Sequence, residues 1–362
     1  MTTAATVGPL GRLLEPFIAP EVFDFWAAKL NPAWSWARSL ARVVERRIEA
    51  RDAVTLVLKP NRHFRGFRPG QHVNVSAEVN GSRVTRSYSL TDVPRKDRRI
   101  ALTVKRVEGG KLSEHLCQRV AVGDVLELGP AFGDMTWPDA PAGRWLLLAA
   151  GSGITPLMSL TRAWAARPSG QLTLVYWARH RAELCYLREL RELAAKHPDF
   201  HLHVAVTREA LRMGDELGER LSAELLQRLV PALDEQQVYA CGPAGFVEQA
   251  RGLMAARARH FHGEAFTPPP MIPIEATGSV RVELRASGRS LEVPRGQALL
   301  PALEAQGIKP AYGCRMGICN TCACAKLDGT TQDLNTGDHS AERSSALRLC
   351  VNRAVSDLVL DL

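Results

Sequence analysis

Cys314-Arg315-Met316-Gly317-Ile318-Cys319-Asn320-Thr321-Cys322 holds two cysteines separated by four residues and a third separated from the second by two, and Cys350 follows well downstream. This is the C-x4-C-x2-C…C spacing of a plant-type two-iron, two-sulfur (2Fe–2S) centre. Four thiolates must converge on a small volume, so three come from one tight loop and the fourth from a returning segment. Gly313 and Gly317 suit such a loop, because small residues let backbone N–H groups approach the sulfurs and stabilise their charge. The expected ligands are Cys314, Cys319, Cys322 and Cys350. A structural zinc site also uses four cysteines, but usually as two similar close pairs, which this spacing is not. Cys324 lies too near Cys322 to be needed and reads as a spare thiol.

At 362 residues the chain accommodates two or three domains with proper cores. No apolar run of about twenty residues is present, so no transmembrane helix is expected, and no signal peptide is evident at the N-terminus. Eight cysteines without a secretory signal favour metal binding in a reducing compartment over disulfides. The expectation is a cytoplasmic protein, at the inner face of the membrane if it touches one. The net charge of +8 lies before the cysteine-bearing segment, which from Glu275 onward holds ten basic and ten acidic residues. No basic run is interleaved with aromatics, so no nucleic-acid partner is expected. Dinucleotide phosphates, an acidic protein or an anionic membrane surface are the targets such a charge suits.

Residues 1–37 form an aromatic N-terminal strap. Phe17, Ile18, Val22, Phe23, Phe25, Trp26, Leu30, Trp34 and Trp36 crowd together, broken by Pro16, Pro20 and Pro32, which predicts short helices joined by turns. The stretch reads either as a strap packed across the following domains or, over residues 10–37, as a foot for a membrane or a membrane-bound partner. Residues 38–140 are short β-branched runs (Val54–Leu58, Val73–Val75, Val84–Tyr88, Ile100–Val107) between turns such as Pro69-Gly70 and Asn80-Gly81, which predicts an antiparallel β-barrel. Residues 141–266 alternate apolar strands (Trp145–Ala150, Leu172–Trp177, His201–Val206, Gln237–Ala240) with helices, hence a parallel-sheet α/β domain. Thr267-Pro268-Pro269-Pro270 opens a stiff proline linker over 267–274, and residues 275–362 carry the cysteine loop among short strands.

Several stretches point to cofactors. Arg86-Ser87-Tyr88-Ser89 lies on a barrel strand, and alternation puts Arg86 and Tyr88 on one side, a guanidinium for a flavin phosphate and a phenol for its ring. Gly109-Gly110-Lys111-Leu112-Ser113 opens a helix whose free N–H groups, hydroxyl and lysine suit pyrophosphate; a plain helix cap would look similar. Gly151-Ser152-Gly153-Ile154-Thr155-Pro156 follows a buried strand and opens another helix, the arrangement that admits a dinucleotide pyrophosphate, although the third glycine of the full fingerprint is missing and a tight structural turn is the alternative. Cys241-Gly242-Pro243 ends the last strand of that sheet and should line the same crevice. Arg179 and Arg181 follow the second strand, where an arginine accommodates a 2′-phosphate, and no acidic residue sits directly at that strand end. This favours NADPH over NADH.

Taken together, these stretches resemble the ferredoxin–NADP reductase superfamily. Arg86-Ser87-Tyr88-Ser89 is similar to its flavin signature, the turn through Ser113 to its flavin-phosphate loop, and Gly151–Pro156 with Cys241-Gly242-Pro243 to its nicotinamide motifs. With a plant-type ferredoxin domain at the C-terminus, the order is that of the oxygenase-reductase branch. The resemblance implies an antiparallel flavin-binding barrel, an α/β nucleotide domain and a β-grasp ferredoxin domain. It further implies a two-to-one electron converter: nicotinamide gives hydride to flavin, and single electrons pass through the cluster to an external acceptor. Thr103, Val104 and Lys105 resemble additional flavin contacts. The Ser-Leu-Thr wording after Tyr88 is closer to FAD-binding than to FMN-binding relatives. No residue need act as general acid or base, because the cofactors do the redox chemistry. The aromatic strap and the Gly313–Cys319 wording resemble reductases that feed membrane fatty-acid desaturases. The competing expectations are a reductase for another di-iron or Rieske oxygenase or for a small soluble acceptor, and a 2Fe–2S redox sensor without steady turnover.

Overall fold

The computed structural model describes residues 19–138, 141–212, 214, 216–266 and 278–362. Part of the strap and the proline linker at 267–274 therefore lie outside the described residues. The chain forms two compact units that divide between Glu264 and Ala265.

Among the described residues the first unit begins with α1 (Pro20–Leu30), which has Pro20 in its first turn, where a missing N–H costs no hydrogen bond. Then come β1 (Leu40–Ala50), β2 (Ala53–Pro60), β3 (His72–Val79), β4 (Ser82–Ser89), β5 (Ile100–Lys105), α2 (Lys111–Gln118) and β6 (Val125–Phe132). They make one antiparallel sheet in the order β4-β3-β6-β1-β2-β5. A bridge between Leu90 and Leu102 draws the two edge strands together, which closes the expected barrel. Asn80 and Gly81 both take positive φ, as a two-residue hairpin between β3 and β4 requires. The interior is apolar (Val43, Leu56, Leu58, Val75, Leu102), and α2 plugs it with Leu112 and Leu116.

The second half of this unit runs β7 (Arg144–Ala150), a one-turn 3-10 helix (Gly151–Gly153), α3 (Ile154–Ala166), β8 (Gln171–Ala178), α4 (Leu187–Lys196), β9 (Phe200–Val206), β10 (Glu216–Leu217), α5 (Ala223–Leu229), β11 (Gln236–Gly242), α6 (Ala244–Met254) and β12 (His260–Ala265). The sheet order is β10-β9-β8-β7-β11-β12, and every neighbouring pair from β10 to β11 is parallel. Helices cover both faces, so β7 is fully apolar and buried from Trp145 to Ala150. The halves are bolted together: Ser159 donates to the Asp92 carbonyl at 2.6 Å, Arg162 to Thr91 at 2.6 Å, and the Trp137 indole to Leu160 at 2.8 Å.

The second unit contains β13 (Ser279–Leu284), β14 (Arg289–Pro294), α7 (Leu299–Ala305), β15 (Ala323–Asp328), β16 (Thr331–Asp333), β17 (His339–Ser340), β18 (Ser344–Arg348), β19 (Asn352–Ala354) and β20 (Leu358–Leu360). A five-stranded sheet, β14-β13-β20-β15-β18, is joined by a small one, β17-β16-β19. Strict alternation in β13 buries Val280, Val282 and Leu284 against Leu299, Leu300 and Leu303 of α7. Among the described residues no helix is long and apolar enough to cross a membrane.

Candidate functional site

The cysteine loop spans the connection from α7 to β15, and Cys350 lies between β18 and β19. Backbone N–H groups point at the sulfurs. Those of Met316, Ile318 and Cys319 lie 3.3, 3.4 and 3.4 Å from Cys314 Sγ, and that of Gly317 lies 3.2 Å from Cys350 Sγ. Such donors favour anionic sulfur. The loop achieves this by placing Arg315, Gly317 and Asn320 at positive φ. Gly317 is required twice over, because a β-carbon there would also meet Val351 Cγ2 at 2.8 Å.

The thiols interact two by two. A hydrogen bond from Cys314 holds Cys319 below the usual thiol range and one from Cys350 lowers Cys322, while Cys314 and Cys350 are raised in turn. Among the described residues no three His, Cys, Asp or Glu side chains gather around a single point as one metal ion demands. Four largely buried thiols with backbone N–H groups aimed at their sulfurs are a donor set that fits a 2Fe–2S cluster. Cys324 is buried in the core and pushed by that burial to about 12, as fits a bystander.

On the barrel, β4, β5 and α2 bring Arg86–Ser89, Thr103–Lys105 and Gly110–Ser113 to the seam between the two edge strands. Tyr88 packs against the core, where burial and then the Cys117 thiol raise its hydroxyl pKa and the Arg86 charge pulls the other way. Ser87 donates to Asn74 Oδ1 at 2.6 Å. Ser89 Oγ is buried with no hydrogen-bond partner, an orphan that a ligand at the seam would satisfy. In the turn before α2, Ser113 Oγ accepts from Val107 N–H at 3.2 Å and donates to the Gly110 carbonyl at 3.1 Å. A β-carbon on Gly110 would strike that oxygen at 2.4 Å. Lys111 is exposed and Leu112 is core. The Thr103–Lys105 side chains are committed elsewhere. Thr103 bonds Thr55 at 2.6 Å and also Tyr186, Val104 is core, and Lys105 lies 3.4 Å from Asp52 and 3.5 Å from Glu183. Only their backbone, on an edge strand, remains for a ligand.

In the nucleotide half, Gly151–Pro156 and Cys241-Gly242-Pro243 meet at the C-terminal ends of adjacent parallel strands β7 and β11, where the sheet changes its winding direction. Ligands of such sheets bind at this crevice. Gly153 is required by packing, since a β-carbon would sit 1.9 Å from the Cys241 carbonyl oxygen. Thr155 donates back to Ser152 at 2.9 Å, and Pro156 is buried in the first turn of α3. The Cys241 thiol is fully buried and pushed well above its ordinary range by that burial and by the Glu264 charge, so it stays uncharged. Arg179 is exposed. Arg181 is already engaged, with Nε 2.7 Å from Glu216 and Nη1 2.9 Å from Glu209. The chain thus folds two carboxylates toward a strand end whose local sequence has none.

Three features were not legible locally. Arg348 donates to the Gly317 carbonyl at 2.7 Å and to Asp333 at 3.0 Å, tying the Cys350 segment to the cysteine loop. Arg315 pairs with Glu304 at 2.9 Å while lying over the Tyr312 ring. Buried His72 of β3 faces buried Glu264 of β12 at 3.2 Å. The sequence signal for that last pair is a single carboxylate among the histidines and Phe261 of the strand beside the linker.

Residues 41–137 match the oxidoreductase FAD-binding domain family, 147–252 the oxidoreductase NAD-binding domain family and 282–355 the 2Fe-2S iron-sulfur cluster binding domain family. An NADPH oxidoreductase of Mycobacterium tuberculosis is 33% identical over 98% of this chain and 92% of its own. The ferredoxin reductase component of 3-ketosteroid-9-alpha-monooxygenase from the same species is 35% identical over 80% of this chain and 84% of its own. The solved phthalate dioxygenase reductase shares the fold, with a TM-score of 0.60, 24% identity, and coverage of 89% of this chain and 97% of that one. The chain belongs to the ferredoxin–NADP reductase superfamily, in the oxygenase-reductase branch with a C-terminal 2Fe–2S domain. It is an electron-transfer oxidoreductase that uses FAD, a nicotinamide dinucleotide and a 2Fe–2S cluster.

Proposed function

We propose that this reductase draws electrons from NADPH and delivers them to a membrane-bound di-iron enzyme, a fatty-acid desaturase being the acceptor served by the reductases that its strap and cysteine-loop wording resemble. The bound cofactors supply the conversion of one hydride into two single electrons; the chain supplies binding, orientation and exclusion of water. Cys314, Cys319, Cys322 and Cys350 hold the cluster. Arg86, Tyr88 and Ser89 hold the flavin, with Ser89 Oγ as the donor left unpaired for it, and the turn through Ser113 takes the flavin phosphates. Gly151–Pro156 and Cys241-Gly242-Pro243 seat the nicotinamide dinucleotide. Arg179, exposed and without a carboxylate partner among the described residues, takes its 2′-phosphate. One relative that aligns over nearly the whole chain is itself named for NADPH.

The observation that carries the membrane acceptor is the apolar face of α1, which lies outside the barrel and turns Val22, Phe25, Trp26 and Leu30 outward. Flavin- and cluster-loaded protein should reduce ferricyanide with NADPH, and membranes containing a desaturase should then yield product. A second reading, another di-iron or Rieske oxygenase as acceptor, is favoured by relatives named as reductases of the 3-ketosteroid and glycine betaine monooxygenases. Turnover with such an oxygenase, and none with any membrane di-iron enzyme, would establish it instead.

A further inference from the structure

The outer surface of the barrel carries a cationic pocket that the reductase chemistry does not use. Arg42 of β1 and Lys59 of β2 are direct cross-strand partners. Their neighbours Val43 and Leu58 point into the core, so both cations stand on the outer face. Like charges placed opposite each other destabilise a sheet. Neither has a carboxylate within ion-pair distance among the described residues, and Arg62 adds a third cation to the same cluster. Together with Phe23 and Trp34 these residues line a pocket of about 490 Å³.

Beside it lies α1, fixed in an unusual orientation. Asp24 accepts from the Ser35 hydroxyl at 2.8 Å and from the Trp36 N–H at 2.6 Å, and Phe23 meets the Trp36 ring edge-on at 5.3 Å. That anchorage turns Phe23 and Ala27 inward. It leaves the stripe Val22, Phe25, Trp26, Leu30 facing solvent, with Phe25 at 59%, Trp26 at 65% and Leu30 at 81% exposure. The spacing i, i+3, i+4, i+8 is that of one helix face, and Lys29 sits on it over the Phe25 ring.

We infer that this surface is a docking site for an anionic phospholipid membrane. The α1 stripe and Trp34 enter the headgroup boundary, and a lipid phosphate seats in the pocket against Arg42, Lys59 and Arg62. The occupant follows from charge complementarity: two opposed, unpaired cations call for an anion, while the adjoining aromatic stripe calls for an apolar phase, and an anionic bilayer provides both at one boundary. The inference rests on the membrane reading above and adds to it the lipid charge and the residues that read it.

The test uses the full-length, cofactor-loaded protein with vesicles of phosphatidylcholine alone or mixed with phosphatidylglycerol. The wild type should sediment with the mixed vesicles, release at high salt, and bind pure phosphatidylcholine weakly. The double variant Arg42→Gln, Lys59→Gln should lose more than about tenfold in partitioning, from about fivefold per cation, with unchanged NADPH–ferricyanide turnover certifying the fold. Trp26→Ala should weaken binding to both vesicle types. Equal binding of the double variant and the wild type to mixed vesicles would overturn the phosphate site while leaving a membrane role standing. No vesicle binding by the wild type, together with capture of a purified desaturase in detergent, would make the face a protein-docking surface and overturn the inference but not the acceptor. Vesicle binding as described without transfer to any membrane enzyme would remove the acceptor reading alone.

Discussion

Arg348 Nη1 donates to the carbonyl of Gly317 at 2.7 Å, so the segment that supplies Cys350 is clamped to the loop that supplies the other three thiols. One guanidinium, also bonded to Asp333, thereby sets the spacing of a four-cysteine site assembled from two stretches of chain. Replacing Arg348 with Ala removes a charged hydrogen bond of about 1.5–3 kcal/mol. The variant should lose iron to a chelator at least about tenfold faster than the wild type while NADPH still bleaches its flavin. Chelation rates that match the wild type would show that the clamp is idle.

Gly317→Ala should fail to assemble the cluster at all, because the backbone is left-handed there and Val351 occupies the space of the new methyl. Iron content after reconstitution is the readout. The companion change Val351→Ala opens room but leaves the φ strain of about 1–3 kcal/mol, so it should restore assembly only in part.

Arg179→Ala should raise the KM for NADPH by about 10–100-fold, the worth of one charge-assisted contact, and leave the KM for NADH nearly unchanged. Arg181→Ala should behave differently. Removing it leaves Glu216, buried at its side chain, without its closest cation, so thermal stability should fall first. Equal effects of Arg179→Ala on both nucleotides would move the 2′-phosphate elsewhere.

His72 binds its proton less readily in the folded protein than in the unfolded chain, first because of burial, with Glu264 and the Phe132 backbone opposing the shift. The unfolded state therefore takes up the proton first as pH falls. Stability from this residue is intact above the unfolded pKa of about 6.5 and declines below it, down through the lowered folded value. Glu264, His262 and the uncharged Cys241 face the same region. Melting temperature followed from pH 7.5 to pH 5 should fall more steeply for the wild type than for His72→Gln; parallel curves would contradict this.

What could be read in advance was whatever neighbouring residues encode. The cysteine spacing is a local constraint on one loop, and the strands at Val54–Leu58, Leu172–Trp177 and Val280–Leu284 announce themselves by alternation or unbroken apolarity. Strand β1 is harder to read, because the exposed Arg42, Glu45 and Arg47 and the half-buried Arg46 mask the buried Ala41 and Val43. The pairings His72–Glu264, Arg348–Gly317 and Arg181–Glu216 join residues far apart in sequence. Only the closed barrel, the wound sheet and the returning segment after β18 bring them together. For Thr103 and Lys105, too, the structure supplies what local sequence lacks: their side chains meet partners contributed by β2, Asp52 and the nucleotide half.

The most direct measurement is an anaerobic titration of the purified, cofactor-loaded protein with NADPH, followed by visible absorbance and metal analysis. The account predicts a coloured protein with iron and inorganic sulfide in equal amounts, whose flavin and iron–sulfur bands both bleach as NADPH is added. A protein that held zinc in place of iron, and showed flavin bleaching alone, would contradict it.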